Sequence, residues 1–255
     1  MKSILIKCKR RTFELAHYNA YNICLSSHVV HLDMKENLIT GSNNEILEHL
    51  NQAEYGVHSI LVYPNVETLR ETYSRYVKSQ LEDNNEIVLI LPYYETANKV
   101  RKTLSEGFAN NIADGNGNDA NSNDTNGNSI IDMGKYEKEG SLIIMDSVKG
   151  YFGSDNNNYN NTDLTEFVKQ LVKKAESKGK NGVSVFADLG SFYHYHHSKT
   201  ADKLVEYELS LPSKFDGMKL KAFCIYHKED INKRFTEEQK QKLLDHHAKA
   251  LMIAN

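Results

Sequence analysis

The sequence predicts an α/β domain in three layers, in which helices cover a mainly parallel central sheet. Two observations predict it. From residue 58 onward, short apolar runs alternate with segments of helical periodicity, the order that a parallel sheet with helical crossovers requires. The length of 255 residues suits one continuous α/β core with room for a small appendage.

Taken in order, residues 58–63 (HSILVY) form the first strand. Val66, Leu69, Tyr73, Tyr76, Val77 and Leu81 follow at steps of three and four, which places them on one helical face, and Asn65 stands where an N-cap is needed. Residues 87–91 give a second strand, and Ala97, Val100 and Leu104 mark the next helix. Residues 109–129 hold repeated Asn, Asp and Gly with almost no apolar side chains, so they bury too little surface to offset the entropy of ordering. A disordered Asn-rich insertion is expected there. Residues 142–145 resume the sheet, and Leu164, Phe167, Val168, Leu171, Val172 and Ala175 form an amphipathic helix that Thr162 can cap and Gly179 can end. Residues 183–187 are the next strand, 204–211 a helix stopped near Pro212, and 220–226 another strand. Thr236 and Gln239 match a capping box for a last helix carrying Leu243 and Leu244. Ser42 and Glu45 match a second box, for a short helix with Ile46, Leu47 and Leu50. Residues 1–41 lack such regularity and are expected to be an extension of uncertain order, with the domain itself spanning 42–255. No repeat with the period of a solenoid or propeller is visible.

Charge and composition narrow the partners. With 31 basic and 34 acidic residues, the net charge of -3 leaves no basic excess for phosphates or anionic lipid, so neither direct nucleic-acid binding nor a membrane partner is expected. Three cysteines, Cys8, Cys24 and Cys224, show no CxxC spacing and fit reduced thiols better than a disulfide framework. Lys7, Lys9, Arg10 and Arg11 follow a short apolar stretch, the reverse of a signal peptide. No run reaches the roughly 18 apolar residues of a membrane span. A cytoplasmic location is the expectation.

In an open parallel sheet, ligands bind beyond the carboxyl ends of the strands. That rule nominates Tyr63, Asn65, Tyr93, Asp146, Asp188, Ser191 and Tyr226 as ligand-binding candidates, with Glu208 at the rim and Glu206, two residues away, facing solvent. A phosphate loop needs GxxxxGK[ST], because glycine-rich backbone wraps the phosphates and lysine neutralises them. The turn here, Tyr63-Pro64-Asn65-Val66-Glu67-Thr68, has neither glycine nor lysine, and Glu67 repels phosphate. The apolar runs ending at Asp146 and Asp188 have the form of a Walker B strand, but that form is common and assigns no magnesium without the loop. No GxSxG elbow occurs and no cysteine sits in a catalytic frame with histidine, so no catalytic residue is nominated. No metal is expected either. His194 and His196, within the HxHH run, have the spacing nearest to a ligand pair, yet they lack a companion cysteine pair or an HExxH helix. His246 and His247 are expected to flank the buried face of the last helix.

The ordered segments HSILVY, EIVLILPYYETANKVRKTL, EGSLIIMDSVKGYF, GVSVFADLGSF, LVEYELSLP, FCIYHKED and LLDHHAKALMI resemble the MEDS domain, named for methanogen and methylotroph regulators and the DcmR sensory domain. The resemblance runs from about residue 56 to 253. It places His58 at the family's histidine on the first strand, Glu206-Tyr207-Glu208 at an acidic-aromatic stretch and Cys224-Ile225-Tyr226 on the late strand. It implies a RecA-like three-layer fold with a mainly parallel central sheet, in a degenerate relative of the circadian-clock and RecA-type ATPases, with residues 63–68 in place of the phosphate loop and Asp188 near the Walker B position. It also implies sensing of a small molecule in signalling or transcriptional control. The expected protein is therefore a non-catalytic sensory domain with a small-molecule ligand at the sheet's carboxyl edge, its cofactor unassigned, acting through a signalling protein partner or as a homo-oligomer. The alternatives are a divergent nucleotide-binding ATPase using Asp188 and a ligand-free oligomeric adaptor.

Overall fold

The computed structural model describes residues 38–107, 130–153, 161–194 and 201–254, without the side chains of 161–163 and 194, together with the backbone of two short strands nearer the start. Those two, β1 (Lys7–Cys8) and β2 (Arg11–Thr12), pair antiparallel within the unit Met1–Asp33. The unit Met34–Asn255 holds the rest. Its strands are β3 (Leu38–Gly41), β4 (Val57–Tyr63), β5 (Ile87–Leu91), β6 (Leu142–Ile144), β7 (Val183–Asp188), β8 (Leu220–His227) and β9 (Lys249–Ile253). They form one parallel sheet in the order β3-β9-β4-β8-β7-β5-β6. The helices are α1 (Asn43–Asn51), α2 (Val66–Glu82), α3 (Ala97–Glu106), α4 (Met133–Glu139), α5 (Ser147–Phe152), α6 (Asn161–Ser177), α7 (Ser191–His194), α8 (Ala201–Ser210), α9 (Lys228–Arg234) and α10 (Glu237–His246).

The strands are largely apolar because both faces are covered; all five residues of β5 are buried. Alternation along each strand divides the core in two. Ile60, Val62, Val185, Ala187, Cys224 and Tyr226 face α5, α6, α7, α8 and α10, whereas Leu61, Tyr63, Phe186, Phe223 and Ile225 face α1 to α4. The three layers expected from the sequence are therefore present, with every strand pairing of the seven-stranded sheet parallel.

The predicted caps form. Asn65 Oδ1 accepts from the Thr68 amide at 2.9 Å, and the boxes Ser42/Glu45 and Thr236/Gln239 are both reciprocal. Gly179, at φ +67°, follows the end of α6. The side chain of Thr162 and the insertion at 109–129 lie outside the described residues.

Several elements escape the sequence patterns. Leu38–Gly41, read above as part of the extension, is the edge strand β3, paired with β9 in the register Leu38 to Ala250. Neither strand has a local signal, since each is specified by a partner at the other end of the chain. Helix α5 contains Gly150, a poor helix former. Packing accounts for it: a Cβ there would stand 3.0 Å from Cδ2 of Leu91. Among the described residues, no helix is long and apolar enough to cross a membrane.

Candidate functional site

At the carboxyl edge, β4 and β7 bring Tyr63 and Asp188 together, the Tyr63 hydroxyl donating to Oδ2 at 3.1 Å. Asp188 Oδ1 accepts from the Gly190 amide at 2.8 Å. Burial drives the Asp188 carboxyl up to about 7, although both bonds favour its charged form. Tyr93 and Tyr94 close over this point, and Gly190 admits them: a Cβ there would meet Cδ1 of Tyr93 at 2.5 Å and Cε2 of Tyr94 at 2.9 Å. Tyr94 donates to Asp230, which is also paired with Arg234 at 2.9 Å. The cavity left beside Tyr93, Tyr94 and Asp188 is about 20 Å³. That is room for a water and little more.

The other candidates at this edge serve local structure. Asn65 caps α2, and Asp146 caps α5 by accepting from the Lys149 amide at 3.2 Å. Ser191 opens α7, fully buried, its hydroxyl without a hydrogen bond among the described residues. The side chains of His194 and His196 lie outside the described residues. Glu206 is exposed.

Glu208 and Tyr226 meet elsewhere, beneath α8 on the opposite face of the sheet. The Tyr226 hydroxyl donates to Oε1 of Glu208 at 2.9 Å. Oε2 faces two imidazoles, 3.6 Å from Nε2 of His58 and 3.2 Å from Nε2 of His247. Cys224 completes the group, its Sγ 3.1 Å from His58 Nε2. One ligand atom from each of His58, Glu208, Cys224 and His247 lies within 4.8 Å of all the others, and all four residues are buried. They come from four elements: His58 from β4, Cys224 from the neighbouring β8, Glu208 from α8 and His247 from the cap of α10. The two helices dock together, and the Ala248 amide bonds the His58 carbonyl at 2.9 Å, which fixes His247 beside β4.

Burial sets the protonation here. It drives His58 down to about 4 against the attraction of Glu208, so this imidazole is neutral at pH 7. It also pushes the Cys224 thiol well above its usual range, with Glu208 adding to the effect. Burial opposes the charge on Glu208 as well, but His247, His58 and the Tyr226 hydroxyl outweigh it and hold the carboxyl at about 2.

Next to this cluster, between α6 and the sheet, is a cavity of about 350 Å³. Leu164, Val168, Val185, Ala187, Leu211 and Met218 supply apolar wall, and His58 and Cys224 also line it. Lys169, Lys214 and Asp216 belong to the same lining. Sequence reasoning placed its candidate site at the strand ends, and of its candidates Glu208 and Tyr226 fall on this face. His247 had one signal, the doublet His246-His247 following a buried helical residue.

A parallel sheet covered by helices on both faces, whose β4–α2 turn carries an N-cap in place of a phosphate loop, defines an open-sheet α/β domain. The chain belongs to the MEDS family, described as the MEthanogen/methylotroph, DcmR Sensory domain, whose model matches residues 57–248. It is thus a sensory domain. A solved structure, the flagellar accessory protein FlaH from Methanocaldococcus jannaschii, is similar over 83% of this chain and 77% of its own, at 11% identity and a TM-score of 0.43. No curated protein sequence matches the chain.

Proposed function

We propose that this MEDS domain senses one small, largely apolar molecule, held without chemical turnover in the cavity between α6 and the sheet. The observation that carries the reading is the cavity itself. Its volume of about 350 Å³ falls in the range of ligand pockets, and its walls combine apolar side chains with a few polar groups able to orient a guest. The cavity at the carboxyl edge is more than tenfold smaller. An apolar cavity of this size is filled more favourably by an apolar guest than by water. Leu164 and Val168 belong to α6, and Tyr207 to α8, so a guest would contact two helices that can report its presence.

The nucleotide alternative has less support. The amide at the start of α2 is taken by Asn65, and Glu67 adds negative charge to the same turn. A neutral His58 and a protonated Cys224 form no activated nucleophile.

Native mass spectrometry of the chain purified from its own host tests the proposal. The expected result is one small apolar molecule per chain, released on unfolding. Retention of ATP or ADP, with hydrolysis dependent on Asp188, would overturn it in favour of an ATPase.

A further inference from the structure

We propose that His58, Glu208, Cys224 and His247 bind one divalent transition-metal ion of the zinc class. The hydrogen-bond directions at the two imidazoles and at the carboxylate point to it. Nδ1 of His58 lies 3.1 Å from the Pro212 carbonyl, and Nδ1 of His247 lies 2.7 Å from the Leu243 carbonyl. A carbonyl only accepts, so each Nδ1 carries hydrogen, and in the neutral ring each Nε2 presents a lone pair. The Tyr226 hydroxyl occupies Oε1 of Glu208, leaving Oε2 turned inward. Two imidazole lone pairs, a carboxylate oxygen and a sulfur thus converge on one point. Histidine ligands held through Nδ1 by backbone carbonyls, beside a carboxylate fixed by a hydroxyl, are the outer support that metal sites use.

Among the described residues, Glu208 Oε2 and His247 Nε2 are buried and make no hydrogen bond of good geometry, although they approach to 3.2 Å. Electron-rich atoms this close repel unless a positive charge lies between them. The spacing suits a metal. Ligand bonds of about 2.0–2.3 Å to a tetrahedral ion put neighbouring donor atoms about 3.3–3.8 Å apart. Three of the six separations are 3.1, 3.2 and 3.6 Å and none exceeds 4.8 Å, so small side-chain shifts bring the four atoms to that spacing.

The donor types select the metal. A thiolate and two imidazoles exclude magnesium and calcium, which take oxygen ligands, and favour zinc. Binding balances as an exchange: the ion forms a bond to Cys224 sulfur, and the thiol proton leaves to solvent. One thiolate and one carboxylate then neutralise the two positive charges of the ion, which a buried site requires. His58 and Cys224 also line the apolar cavity, so the ion would form part of its floor. The metal site rests on its own geometry and not on what fills that cavity. Its rival is a proton on His247 Nε2, giving an imidazolium-carboxylate pair with Glu208 and no metal.

The test uses the untagged full chain, stripped with chelator and then loaded with Zn²⁺ or Co²⁺. The expected result is one equivalent of zinc per chain by elemental analysis, a rise in Tm on loading, and a thiolate-to-cobalt charge-transfer band with tetrahedral d–d absorption. Cys224→Ser should lose that band, and His247→Ala should weaken cobalt binding by more than about tenfold, with far-UV circular dichroism unchanged. A wild-type chain that takes up no metal and shows no Tm shift would overturn the proposal in favour of the protonated pair. So would a charge-transfer band that survives Cys224→Ser. The wild-type spectrum decides the matter even if a variant misfolds. A chain that takes up no metal on loading yet binds an apolar molecule would sink the metal site and leave the sensory reading standing.

Discussion

The Tyr226 hydroxyl donates to Oε1 of Glu208 at 2.9 Å, and the bond leaves the second carboxylate oxygen facing His58 and His247. Both partners are buried, so removing the donor strands an acceptor that water cannot reach. Tyr226→Phe is expected to lower unfolding stability by about 1–3 kcal/mol. Urea unfolding reads this as a lower midpoint at unchanged slope. An unmoved midpoint would show that the bond contributes nothing to orienting Glu208.

On the other face of the sheet, Lys221 Nζ lies 2.7 Å from Oε1 of Glu86 and 3.1 Å from the side-chain oxygen Oε1 of Gln80. Tyr55 and Ser184 donate to the same carboxylate, which is fully buried. Lys221→Met leaves a buried carboxylate without its cation and is expected to cost about 3–5 kcal/mol. Adding Glu86→Gln should recover much of the loss. Additive losses in the double variant would contradict a coupled pair.

Asp188 makes a pH prediction of definite sign. Its carboxyl titrates near 7 when folded and at 3.8 otherwise, so between these values the folded chain holds a proton that the unfolded chain has released. Stability from this group is therefore greatest below the lower value and falls as pH rises, the penalty being complete above about pH 7. Asp188→Asn keeps an oxygen for the Gly190 amide and removes the titration. The Tm of this variant relative to wild type should be higher at pH 8 than at pH 5. The same difference at both pH values would contradict a desolvated carboxylate. A residue that costs stability at neutral pH marks a candidate functional position.

The sheet was legible where burial on both faces makes a strand continuously apolar, as in IVLIL of β5 and VSVFAD of β7. Helices were legible where a cap and a periodic face coincide, as in α2 behind Asn65 and α10 behind Thr236. Strands β3 and β9 were not, because KALMI continues a helical segment and LITG is too short to show a period. The buried cluster was illegible for a similar reason. Its closest pair, His58 and Cys224, is 166 positions apart, so no local spacing connects ligands that only the β4-β8 register makes neighbours. Composition marked strand ends as polar but could not show that Tyr93 and Tyr94 fill the crevice there.

Val168 on α6 and Ala222 on β8 face the apolar cavity from opposite sides, and both are only half-buried, so larger side chains can be admitted there. A double variant, Val168→Phe with Ala222→Leu, fills the space without touching Glu208 or His247. The decisive measurement is thermal shift of wild type and variant against a panel of small apolar molecules. Wild type should gain stability with at least one of them, by about 2.7 kcal/mol at a hundredfold excess over Kd, while the variant keeps its unliganded Tm and loses more than about tenfold in affinity. Equal binding by both proteins would place the ligand outside this cavity and contradict the sensory site proposed for it.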